Sequence, residues 1–151
     1  RSRLSTIHVA EAPRGHRVTL DVGSILPMHA TASGLAFLAA SPEPELDTLL
    51  EAKLPAYTEH TVTDRSVLLG LVGEARSRGY SICLQGIEHG TISTGAAIRL
   101  DDNRPIGTIA LAAPLIRIDE TAIHALGVQV VEAAATIAAR YFGARASEAG
   151  A

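Results

Sequence analysis

The chain carries one cysteine, Cys83, and six histidines, His8, His16, His29, His60, His89 and His124. A thiolate beside an imidazole is the first chemistry these types suggest, with Cys83 paired to His29 or His89 as a nucleophilic dyad. Against it, Cys83 sits in the run SICLQ, where cysteine serves as a small buried hydrophobe. No G-x-S-x-G elbow offers a serine instead. The histidines lack HxxxH or HxH spacing, so a zinc site would have to be assembled from distant imidazoles and Cys83. The glycine-bearing stretches GIEHG and GTISTG match neither GxGxxG nor GxxxxGK[ST], which excludes a phosphate cradle on motif grounds. A subtler pattern remains: Ser93, Gly95 and Ala97, then Ala110 and Ala112, are small residues where a sheet face would normally be filled. Small side chains leave volume unless something large packs over them. Either an Ala-rich protein draws its helices close, or the volume is a mostly apolar pocket for a small molecule.

These residues need elements to hold them. Residues 6–11 and 17–22 alternate and are β-branched, with PRGH between them, and predict a hairpin. Thr31 is placed to cap a helix through the Ala-rich GLAFLAA stretch. Ser41-Pro42 gives an N-cap and a proline at the first helical position of a second helix, PEPELDTLLEAKL, stopped by Pro55. Asp64 caps a third, with the stripe Val67, Leu68, Leu71, Val72 and Ala75, closed by Gly79. From Tyr80 the period changes, and residues 80–85, 92–100 and 106–113 read as strands, the last two joined by DDNRP. Asp119 opens the longest helix, whose apolar positions are Ile123, Leu126, Val130, Ala134, Ile137 and Tyr141, with Gly143 ending it. The tail after it is expected to fray. The order β-β-α-α-α-β-β-β-α predicts an α+β domain with one central antiparallel sheet and helices on its faces.

Size and composition bound the function. The 151 residues and 15.7 kDa suit one domain, residues 1–151, with an ordered core from about 5 to 143. Hydrophobic residues at 47% and charged residues at 19% exclude a disordered chain. Aromatics are 3% with no Trp, which argues against a base-stacking platform. A net charge of −3 argues against a bare nucleic-acid-binding module. A lone cysteine forms no intrachain disulfide and fits a reducing compartment, the cytoplasm. Residues 121–139 form the longest apolar candidate for a membrane span, interrupted by His124, Gln129 and Glu132. Without an initiator Met or an apolar leader, the sequence is expected to be a piece of a longer protein.

The phrases GSILPMHATASGLAFLAA, YTEHTVTD with its following helix, RSRGYSI, and HGTISTGAAIRLDDNRPIGTIALAAPLIRI occur in this order. Together they resemble the effector-binding domain of the isocitrate-lyase-regulator (IclR) family of bacterial transcription factors, from about Val9 to Gly143. The resemblance implies a GAF-like fold and a homodimer or dimer of dimers. DNA would be bound only through an N-terminal winged helix-turn-helix that this sequence does not include. No cofactor, metal, catalytic residue or membrane partner is expected.

The family's pocket can be carried over by position. Relatives that bind glyoxylate or pyruvate hold the carboxylate on two backbone N–H groups at the start of the helix after LPxHA, here Ala32 and Ser33. An Asp after RGY falls at Cys83, a Cys after the loop glycine at Ser93, and two serines on the next strand at Ala110 and Ala112. The family's lysine after the helix glycine is Leu35 here. A small polar acid would leave oxygens unpaired at about 1–3 kcal/mol each. With Leu26 and Met28 nearby, the lining favours a carboxylate with an apolar or aromatic body, an uncharged aromatic being the second choice. The long C-terminal helix and the loop at residues 54–63 are expected to move or to meet a partner subunit. Two other classes stay open: a small enzyme centred on Cys83, and a domain that only dimerises, its cavity filled by its own side chains.

Overall fold

A computed structural model of the chain describes residues 3–11, 20–100 and 102–149. Elements run β1 (Leu4–Ser5), β2 (Ile25–Leu26), α1 (Ala32–Ala40), α2 (Leu46–Leu49), α3 (Arg65–Arg78), β3 (Ser81–Leu84), β4 (Thr91–Arg99), β5 (Pro105–Pro114) and α4 (Glu120–Ala149). The class is α+β, as the order of elements predicts. Its strands form two antiparallel ladders among the described residues, the ribbon β1-β2 and the three-stranded sheet β3-β4-β5.

The sheet's two faces serve different helices. Register pairs Ile82 with Thr94 and Thr94 with Leu111, and pairs Ala96 with Ile109. That face packs on α4 through Tyr80, Ala96, Val130 and Ala134. The opposite face carries the rows Cys83–Ser93–Ala112 and Ser81–Gly95–Ala110 and meets α1. Ser81 Oγ donates to Ala32 O at 2.6 Å, and a Cβ at Gly95 would lie 3.0 Å from the same carbonyl. Helix α1 is apolar all round because it is covered all round: by the sheet on one side and by α3 on the other, through Leu38, Leu68 and Val72.

The caps follow the sequence. Thr31 Oγ1 accepts from Gly34 N at 3.0 Å and donates to Pro27 O at 2.9 Å. Asp64 Oδ1 accepts from Ser66 N and Val67 N at 2.8 and 3.0 Å, and Gly79, at φ +87°, closes α3 onto Ala75 O. Asp119 Oδ1 accepts from Ala122 N at 2.7 Å at the start of α4.

Four expectations need correction. The hairpin is displaced: Leu4 pairs with Leu26 and Ser5 with Ile25, while residues 6–11 and 20–22 are not strand, and residues 12–19, with the expected turn, lie outside the described residues. Ile7 is 88% exposed, so alternation there had nothing to pack against. The second helix shrinks to a 3₁₀ turn and the single turn of α2. Ser41 does not open it; its Oγ donates back to Phe37 O at 2.8 Å, and Arg76 donates to Ala39 O and Ser41 O at 3.1 Å each, so both groups finish α1. Val67 leaves the α3 stripe at 53% exposure. Gly143 does not end α4, which continues to Ala149, and Ile137 and Tyr141 are exposed because the helix has run past the sheet. The Glu120–Tyr141 stretch is long and apolar enough to cross a membrane by length and composition, but Ile123, Val130 and Ala134 are buried.

Candidate effector cleft

The turn into α1, the small-residue face of the sheet and the β3–β4 loop enclose a cleft of about 130 Å³. Ala32 and Ser33, in the first turn of α1, line it, as do Cys83 on β3, Ser93 on β4, and Ala110 and Ala112 on β5. Leu26 of β2 joins them. Met28 does not line this cleft. It is buried against Leu35 and faces a second cavity of about 320 Å³, reached past Arg3, His29 and Tyr57. That cavity is larger, and the start of α1 is not among its described lining residues.

The hydrogen-bonding capacity of the cleft is mostly spent inward. The Thr31 hydroxyl is engaged at both ends by α1 capping. Ser93 Oγ donates to Cys83 O at 3.3 Å, and Thr91 Oγ1 donates to Glu88 O at 2.8 Å. Cys83 Sγ donates to Ala30 O at 3.3 Å. Among the described residues, what remains is the helix start, with the Ser33 hydroxyl and the Glu88 carboxylate. Leu35 N takes Thr31 O and Gly34 N takes Thr31 Oγ1, which leaves the N–H groups of Ala32 and Ser33 with no intrahelical acceptor and at the positive end of the helix dipole. Cys83, Ala110 and Ala112 supply an apolar floor opposite.

Cys83 is a poor nucleophile here. Burial pushes its thiol up to about 11, only partly offset by the Gly86 N–H, so it is protonated at neutral pH. Neither suggested partner reaches it. His29 Nε2 donates to Pro55 O at 2.9 Å, and His89 Nε2 lies 3.3 Å from Glu59 Oε2. His60 flanks the other oxygen of Glu59 at 3.5 Å. Among the described residues, no three His, Cys, Asp or Glu side chains are placed to hold a metal ion.

The sequence reading missed one wall. Gly86, Ile87 and Glu88 of the β3–β4 loop line the cleft, with Leu20, Ala30, Thr31 and Thr91. The loop presses so close that a Cβ at Gly86 would run into Ala30 O and Cys83 Sγ. Thr58 Oγ1 and Thr61 Oγ1 hold it from behind, donating to Gln85 O and Gly86 O at 2.6 and 2.7 Å. The residues 57–61 turn is thus bonded directly to the cleft rim. The signal in the sequence is the glycine of GIEHG, since a glycine just after a strand can mark a close backbone approach.

The family model described as "Bacterial transcriptional regulator IclR C-terminal" matches residues 2–139. The transcriptional repressor IclR of Escherichia coli (strain K12) is 32% identical over 130 residues, covering 85% of this chain and 47% of that protein. The acetate operon repressor of Salmonella typhimurium is 31% identical over 130 residues, with the same two coverages. The crystal structure of the IclR transcriptional regulator from Alicyclobacillus acidocaldarius superposes with a TM-score of 0.83 at 25% identity, covering 91% of this chain and 55% of that one. The chain spans about half the length of the curated relatives it matches.

Proposed function

The chain belongs to the IclR family of bacterial transcriptional regulators, matching its C-terminal domain, and we propose that residues 1–151 form one effector-binding domain. It binds a carboxylate with an apolar or aromatic body. The observation that carries this is that Ala32 and Ser33, whose N–H groups have no intrahelical acceptor, line a cleft floored by Cys83, Ala110 and Ala112. The helix start favours an anion, and the alanines offer no hydrogen bonds to a small polar acid.

In this reading the whole protein acts in the cytoplasm as a homodimer or dimer of dimers. It contacts DNA through a winged helix-turn-helix outside this sequence, and it carries no catalytic residue. The raised thiol of Cys83 and the absence of a histidine beside it among the described residues weigh against an enzyme. Packing of α4 onto the sheet weighs against a membrane partner. Effector binding shifts the assembly only by the difference in affinity between its states. The path to the rest of the protein runs through the loop at residues 54–63, bonded to the rim by Thr58 and Thr61, and through α4.

A thermal-shift screen of small carboxylates, aromatic acids and neutral aromatics tests the proposal. A ligand at 100 times its Kd adds about 2.7 kcal/mol, a rise of about 5–11 °C for a domain of this size. Aromatic or bulky acids are expected to score. No shift from any class would overturn the sensor reading in favour of a domain that only dimerises.

A further inference from the structure

Of the described residues lining the cleft, Glu88 alone bears a formal charge at neutral pH. Its carboxylate has no ion-pair or hydrogen-bond partner among the described residues; only its backbone carbonyl is engaged, by Thr91. The neighbouring ionisable groups are otherwise committed, since His89 and His60 both face Glu59. Glu88 stands on the loop wall, while the Ala32 and Ser33 N–H groups stand on the helix wall. The cleft is therefore dipolar, with an anion-accepting helix start on one wall and an unpaired anion on another.

We propose that Glu88 determines specificity in this cleft, selecting effectors that carry a cationic or hydrogen-bond-donating group apart from their carboxylate, and rejecting dicarboxylates. The inference rests on the reading of Ala32 and Ser33 as the carboxylate site. A second carboxylate brought to the loop wall meets like charge, while an ammonium or hydroxyl there gains a charge-assisted hydrogen bond. Because Glu88 is exposed, solvent limits the effect to that of a surface ion pair, about fivefold in affinity. Salt should weaken it further.

Calorimetric titration of the wild-type chain, E88Q and E88K with benzoate, 4-(aminomethyl)benzoate and terephthalate, plus benzylamine, tests it. The wild-type chain is expected to bind 4-(aminomethyl)benzoate about fivefold more tightly than benzoate, and terephthalate least. E88Q should collapse these differences and E88K should invert them, while benzoate itself binds all three proteins with similar affinity. An order unchanged between the wild-type chain and E88Q would overturn the role of Glu88 while leaving the carboxylate site standing. Binding of benzylamine alone, lost in E88Q, would support Glu88 as the recognition group and overturn the carboxylate reading. No binding by any compound to any of the proteins would overturn both.

Discussion

Replacing Ala32 by proline removes one proposed donor with little cost to the fold. Ala32 is the first residue of α1, the position where proline is best tolerated, because the missing N–H has no intrahelical acceptor and the fixed φ suits a helix. The residue before it is also suited: Thr31 is extended at φ −132°, ψ 150°, as a residue preceding proline prefers. The Thr31 cap on Gly34 N is untouched. Stability is therefore expected to stay within about 1 kcal/mol of the parent. Binding is another matter. A hydrogen bond to a charged group contributes about 1.5–3 kcal/mol, so A32P should lose about ten- to 150-fold in affinity for an aromatic carboxylate, with the proline ring projecting where the N–H pointed. Ser33→Ala keeps both N–H groups and should bind as the parent does. Calorimetry on A32P and S33A, with melting curves to show both folded, checks the argument. A folded A32P with parental affinity would refute it.

Four further outcomes follow from the structure. With its thiol near 11, Cys83 should alkylate slowly at pH 7.5 and about tenfold faster per pH unit above it; rapid labelling at neutral pH would revive the nucleophile reading. The same shift has a stability consequence. Because the folded thiol ionises later than an unfolded one at 9.0, its contribution is full below about pH 9 and is lost as pH rises towards 11, which alkaline melts of the chain and Cys83→Ala would show as a steeper loss in the former. Leu38→Ala, at a side chain with 0% exposure between α1 and α3, should cost about 2–5 kcal/mol in denaturant titration; a loss under 1 kcal/mol would mean that this core is looser than described. Asp64, held below the usual carboxylate range by the Ser66 hydroxyl and the Val67 and Ser66 N–H groups, stabilises α3 above its unfolded pKa and stops doing so as pH falls through its lowered value. Asp64→Asn should therefore flatten the acid limb of the melting temperature, and an unchanged limb would count against the cap.

Much of the fold was legible because it is local. Thr31, Asp64, Gly79 and Asp119 each act within one helical turn, and the strands at β3, β4 and β5 fall within a residue or so of the expected bounds. What failed was decided at longer range. Ser41 looked like an N-cap but serves the helix before it, because Arg76 of α3 arrives there to share that C-terminus. The first strand slipped because Ile7 and Val22 have no face to cover them. Gly143 could not stop a helix already fully propagated. In the cleft, the positions carried over from the family resemblance, Ala32, Ser33, Cys83, Ser93, Ala110 and Ala112, line one space, joined by the apolar neighbour Leu26. Met28 does not, since the turn at Pro27 sends it into the core on the other side. Glu88 is not placed at the cleft by any motif; only the close packing of Gly86 on Ala30 brings its loop there.

In the proposed reading, the start of α1 holds an aromatic carboxylate. A titration followed by ¹H–¹⁵N correlation spectroscopy addresses it directly, with benzoates on one side and glyoxylate and pyruvate on the other. The account predicts that the amide signals of Ala32 and Ser33 move and saturate with the aromatic acids, and that the two small acids bind far more weakly. Amide signals at Ala32 and Ser33 that stay still while others move, or tight binding of glyoxylate or pyruvate, would contradict it.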